Sequence, residues 1–220
     1  MNANDAMRPE GFPNGSFNTA VGGSALYANT EGNNNTAVGN GALLENTTGS
    51  GNAAVALAAL RNNTTGNDNT AVGVGALLSN SNGNENTAVG AGALSSNTTG
   101  IVNTAIGWGA LGSNTTGGQN TASGVEALAD NSAGNFSTAA GWHALRFNTT
   151  GVSNSAFGWS ALNANQTGSD NTAVGVRAGQ LITGSFNICI GSQVFGVAGE
   201  NNAIRIGDNL PTTAGNQHAT

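Results

Sequence analysis

Lysine is missing from this 220-residue chain altogether: its five basic residues are all arginine, and charged residues make up only 7% of it. With eleven acidic side chains the net charge is −6 and no basic cluster exists, which excludes the electrostatic footprint of a nucleic-acid binder. Cysteine occurs once, at Cys189, so neither an intrachain disulfide framework nor a cysteine-built zinc site can form; a buried small residue is its expected role. No run approaches the roughly 18 apolar residues of a membrane span. Met1-Asn2-Ala3-Asn4-Asp5 has neither the basic nor the apolar region of a secretion signal, so the chain is expected to be made without one or to be a piece of a longer protein. Helix is not expected, since 35 glycines, two or more in nearly every seventeen residues, cost about 1 kcal/mol apiece in a helix interior.

What the chain does have is a seventeen-residue repeat. Asn18-Thr19-Ala20-Val21-Gly22 returns as Asn35-Thr36-Ala37-Val38-Gly39, and the anchor falls again at Asn52, Asn69, Asn86, Asn103, Asn120, Ser137, Asn154 and Asn171 without insertion or deletion. Fixed periods of this kind belong to solenoids, in which each unit buries its apolar face only on its neighbours. The expected organisation is a cap or linker over 1–17, a single β-solenoid over 18–207, and a tail over 208–220 leading to a missing or removed domain. The solenoid has ten full coils followed by two shortened ones, because Gly175, Gly191 and Gly207 are sixteen apart.

Within the repeat, Thr-Ala-Val alternates between Asn and Gly and reads as a strand, and the recurring Ala-Leu pair reads as a second, shorter one. The leucines, Leu26 through Leu162 at every seventeenth residue, are expected in the core. Two asparagine rows, the anchors and Asn29 to Asn165, are expected to stack about 4.8 Å apart as hydrogen-bonded ladders that hold the turns. The sequons opened by Asn46, Asn63, Asn97, Asn114 and Asn148 are read as turn residues in the same way.

Facing is inferred from Ile188-Cys189-Ile190 and Ile204-Arg205-Ile206. The isoleucines share the registers of Thr and Val, which are therefore expected inside. Arg205 shares the alanine register, and an arginine is rarely buried unless paired, so the alanine row is expected to face outward. An unvarying small outward row implies something flat packed against it. The oligomer interface of a homotrimer is accordingly expected at Ala20, Ala37, Ala54, Ala71, Ala88, Ala105, Ala122, Ala139, Ala156 and Ala173.

Asn-Thr-Ala-Val-Gly-x-Gly-Ala-Leu-x-x-Asn-Thr-Thr-Gly resembles the head repeats of trimeric autotransporter adhesins of the YadA type. It is still more similar to the repeat regions of bacterial and phage tail-fibre proteins that end in an intramolecular chaperone domain. Asn187-Ile188-Cys189-Ile190-Gly191 and Asn202-Ala203-Ile204-Arg205-Ile206-Gly207 resemble the segment that closes such repeats. The resemblance spans roughly residues 18–208 and implies an all-β, left-handed parallel β-roll, trimeric, serving as a surface-exposed adhesive head or virion fibre shaft. The adhesin repeat is usually shorter than seventeen residues.

Trp108, Trp142 and Trp159 share one register and form a candidate binding edge for a receptor or sugar; the same register holds Leu57, Val74, Val125 and Val176, which favours a packing role. No catalytic, metal or cofactor site is expected. His143 stands alone, without the base and orienting partner that catalysis requires, and His218 lies in the tail. Asp68, Glu85 and Asp170 read as solvated turn charges, the alternative being a cation between Asp68 and Glu85. The expected function is a non-enzymatic extracellular, cell-surface or virion fibre segment whose partners are its own copies and a receptor or glycan. The alternatives are an ice-binding solenoid, disfavoured by placing the regular threonines inside, and a polysaccharide-binding tailspike-like module.

Overall fold

A computed structural model describes residues 15–207. Most of the expected 1–17 cap, the 208–220 tail and His218 lie outside the described residues. Twelve three-residue strands follow one another: β1 Thr19–Val21, β2 Thr36–Val38, β3 Ala53–Val55, β4 Thr70–Val72, β5 Thr87–Val89, β6 Thr104–Ile106, β7 Thr121–Ser123, β8 Thr138–Ala140, β9 Ser155–Phe157, β10 Thr172–Val174, β11 Ile188–Ile190 and β12 Ile204–Ile206. They form one sheet in sequence order, every neighbouring pair parallel. Register follows the repeat, as in Ala71↔Ala88↔Ala105, and closes to sixteen residues at Thr172↔Ile188↔Ile204. The chain is thus an all-β parallel solenoid, and the described residues contain no helix.

The facing of the strands is opposite to the expectation. Along β2 through β11 the central residue is buried and the flanking two are more exposed. Ala37, Ala54, Ala71, Ala88, Ala105, Ala122, Ala139, Ala156 and Ala173 are wholly inside the coil, and Ala20 in the first coil is partly covered. They do not form an outward face and cannot meet another chain. The reason for alanine lies across the coil: a methyl group built on Gly179, which stands in the leucine register, would sit 3.5 Å from Cβ of Ala173. Leucine from the opposite wall fills the interior, and only a methyl fits against it.

Arg205 misled because it is the paired exception. It points into the open end of the last coil, where its Nε donates to both carboxylate oxygens of Glu200 at 3.0 Å and its Nη2 donates at 2.7 Å. This contact holds the Glu200 carboxyl below its ordinary range. Cys189, in the alanine register, is buried as expected, and burial pushes its thiol pKa up.

The leucine row is fully buried, but it is not on a second strand. Leu43, Leu60, Leu77, Leu94, Leu111, Leu128, Leu145 and Leu162 have φ between 49° and 51°, the left-handed region. The alanine before each is equally buried. Two adjacent residues cannot both point inward from an extended strand, and the left-handed turn is what lets them. The backbone still bonds coil to coil, as in Leu94 N–H to the Ala110 carbonyl at 3.0 Å.

Both asparagine ladders are present. In the second row each side-chain Nδ2 donates to Oδ1 of the asparagine one coil back, at 2.7–3.1 Å from Asn46 to Asn165. The anchors tie backbone to side chain: Asn35 N–H donates to Oδ1 of Asn18, while its Nδ2 and that of Asn46 both donate to the Gly49 carbonyl. Glycine is required there because a Cβ would collide with Asn46 Oδ1 and the carbonyl of Gly66. The ladder stops where Ile182 takes the asparagine place, leaving Oδ1 of Asn165 without a donor. The asparagines of the five Asn-Thr-Thr sequons, Asn46, Asn63, Asn97, Asn114 and Asn148, are buried in this row, so they serve as turn residues and cannot present a glycan.

One coil departs from the corner rule. Glycine follows the strand with φ of 126–145° in every coil but one, and Ala56 holds that place at φ 124°. A conformation that L-residues rarely adopt costs about 1–3 kcal/mol, partly offset by the greater freedom of glycine when unfolded. Ala56→Gly is therefore expected to raise the urea midpoint, with a net gain of about 1 kcal/mol or more; a lowered midpoint would show that Ala56 is relaxed.

Candidate functional site

The corner after each strand turns the next side chain outward, and the tryptophan register occupies this place. Trp108, Trp142 and Trp159 are 58%, 46% and 40% exposed. Three tryptophans on one edge do not make one uniform strip. Trp142 stacks on the His143 imidazole, with ring centroids 3.5 Å apart and planes at 17°. Its other neighbour, Trp159, lies tilted at 37° and 5.7 Å. The Arg177 guanidinium lies 4.4 Å over the Trp159 ring. Trp108 has no such ring or cation contact among the described residues; Ala91 and Val125 flank it in its register.

His143 is not alone. Glu126, seventeen residues earlier and so one coil away in the same register, accepts from His143 Nε2 at 2.8 Å and from Arg146 at 3.1 Å. Burial and the adjacent Arg146 charge hold the imidazole below its ordinary pKa, against the opposing pull of Glu126. His143 is therefore neutral near pH 7, and its contact with Glu126 is a hydrogen bond from a neutral ring. Equal register in adjacent coils was the signal available for this pair. Ser160 continues the register, but no hydrogen bond joins its hydroxyl to His143, so the nucleophile-to-base contact of acyl-transfer sites is not formed.

Beside Trp108 the repeat thins. Gly92, Ser95, Ser96, Gly109, Gly112 and Ser113 take places that carry larger side chains in other coils, leaving an open groove of about 400 Å³ bounded by Trp108, Glu126, Asp130 and Arg146. Glu126 is committed to His143 and Arg146, whereas the part-exposed Asp130 carboxylate meets no hydrogen-bond donor or cation among the described residues. The described residues contain no group of three or more potential metal ligands, and Asp68 and Glu85 stand at turns. No described helix is long and apolar enough to cross a membrane. No family model, curated protein or solved structure matches this chain.

Proposed function

We propose that this chain is a non-enzymatic fibre or adhesin segment: a left-handed roll, assembled side by side as a homotrimer, that presents its edges to a cell-surface receptor or glycan. The observation that carries assembly is the outward face of the sheet. Twelve strands place two residues each on it, and none of those residues is charged. Val21, Val38, Val55, Val72, Val89, Ile106, Phe157, Val174, Ile190 and Ile206 line it as an exposed row interrupted by Ser123 and Ala140, and Ile188 and Ile204 continue the threonine row in apolar form. At the corner before the strands Val102, Phe136 and Phe186 are exposed, and the same register exposes Asp68, Glu85 and Asp170, so the charges stand beside the face and not on its strands. Eleven strand pairings about 4.8 Å apart make it about 53 Å long. An exposed apolar row beside an uncharged threonine row over that length supports an interaction site, and a repeat of the same length in a second copy is its natural complement.

Light scattering at micromolar concentration is expected to give three times the chain mass. Val89→Glu should lower it to one chain mass while the far-UV β spectrum persists, since that side chain points out of the coil. A wild-type monomer would remove the assembly.

A second reading has gained support from the corrected facing. The threonines of the strands point outward, forming a row broken only by Ala53, Ser155, Ile188 and Ile204 beside the valine row. A regular threonine and valine lattice is the kind of surface that orders water into ice. Thermal hysteresis of a monomeric wild type would favour this reading over assembly.

A further inference from the structure

We propose that the groove beside Trp108 is a saccharide-binding site for an uncharged pyranose, with Trp108 as the stacking platform and Asp130 as the acceptor for sugar hydroxyls; this rests on the reading of the chain as an attachment segment.

The three tryptophans divide by what already covers them. Trp142 is covered by His143 and Trp159, and Trp159 by Arg177, so their faces are spent within the protein. Trp108 is the most exposed of the three and the only one lining the groove. The apolar C–H face of a pyranose suits an indole face, and its equatorial hydroxyls suit carboxylates, with which they form charge-assisted hydrogen bonds. Both features occur within one groove here. Its volume of about 400 Å³ lies in the range of small-ligand sites. The small residues on its floor are what opens it: at Gly92 a Cβ would meet nothing within 4 Å.

Charge selects the class of sugar. Glu126 and Asp130 contribute −2 and Arg146 +1, so the groove is net −1, and the one cation is already held by Glu126 at 3.1 Å. A carboxylated sugar such as sialic acid would face a repulsive site. A neutral pyranose leaves the Glu126, His143 and Arg146 contacts in place and satisfies Asp130.

The test is saturation-transfer NMR and tryptophan fluorescence titration of the purified chain with lactose, chitotriose, maltotriose and mannotriose, and with sialyllactose for comparison. At least one neutral sugar is expected to bind, more tightly than sialyllactose. Trp108→Ala and Asp130→Asn should each weaken that binding tenfold or more at unchanged melting temperature, whereas Trp142→Ala/Trp159→Ala should lower the melting temperature first. Preference for sialyllactose, undiminished binding by Trp108→Ala, or no binding of any neutral sugar would overturn the site. Attachment of labelled wild-type chain to cells is scored in parallel. If cells are bound equally by wild type and Trp108→Ala, the groove assignment falls and the attachment reading stands; if wild type binds neither cells nor sugars, both fall.

Discussion

Ala88→Glu is expected to abolish folding, not merely assembly. Ala88 is wholly buried between Ala71 and Ala105 on the inner side of the sheet. Leucines from the facing wall occupy the rest of the interior, so the four heavy atoms that glutamate adds to alanine have nowhere to go. The carboxylate would also be far from any cation, and an isolated buried charge is among the costliest changes a fold can suffer. The loss is expected to exceed about 4 kcal/mol, against typical total stabilities of about 5–15 kcal/mol. The measurement is thermal unfolding followed by circular dichroism, with Val89→Glu as its neighbour on the outer side. The two adjacent substitutions should separate cleanly: one removes the fold, the other only the oligomer. An Ala88→Glu chain that melts within a few degrees of wild type would mean that the alanine row faces solvent after all.

That contrast shows what the sequence could and could not reveal. Period, strand positions, ladder asparagines and buried leucines were legible because each repeats at fixed spacing, and repetition constrains every coil alike. Facing was not. A three-residue strand carries one alternation, and its sign had to come from somewhere else; the terminal coil, where Arg205 meets Glu200 at an open end, is the least representative place to seek it. Better information lay in the Ala-Leu pair. Two neighbouring apolar residues that recur together from Ala25-Leu26 to Ala161-Leu162 cannot alternate, and this pointed to a left-handed turn with both side chains inward and so to an interior too small for anything but alanine opposite.

The edge was legible in part. A shared register placed three tryptophans on one line, and the structure keeps them there. What it does not keep is their equivalence, because contacts such as Arg177 over Trp159 and His143 on Trp142 depend on residues that vary between coils. The groove escapes a register-by-register reading for the same reason. It is made by the local absence of side chains at Gly92, Gly109 and Gly112, and its polar wall comes from Glu126, Asp130 and Arg146 on the two following coils.

Asn97→Asp is expected to be strongly destabilising at neutral pH and to recover as pH falls. Asn97 is fully buried; its Nδ2 donates to Asn80 Oδ1 at 2.7 Å and to the Gly100 carbonyl at 3.0 Å, while its Oδ1 accepts from Asn114 at 2.8 Å. Aspartate has the same shape without the amide hydrogens. Asn80 Oδ1 then loses its donor, at about 1–3 kcal/mol, the Gly100 carbonyl keeps only Asn86 Nδ2, and both face a negative oxygen. The burial also raises the carboxyl pKa of the folded variant above its unfolded value of about 3.9. Between those two values the folded state binds more protons than the unfolded state, so its relative stability rises as pH falls. The proton also returns one donor to the ladder. The gap in urea midpoint between Asn97→Asp and wild type should therefore be wide at pH 7 and narrower at pH 4. Asn97→Ala, which cannot titrate, should show a gap that does not change with pH. Equal gaps at both pH values for the aspartate variant would mean that its carboxyl is not desolvated in the folded state, and a loss below about 1 kcal/mol at pH 7 would mean that the asparagine ladder adds little to the stability of the coils.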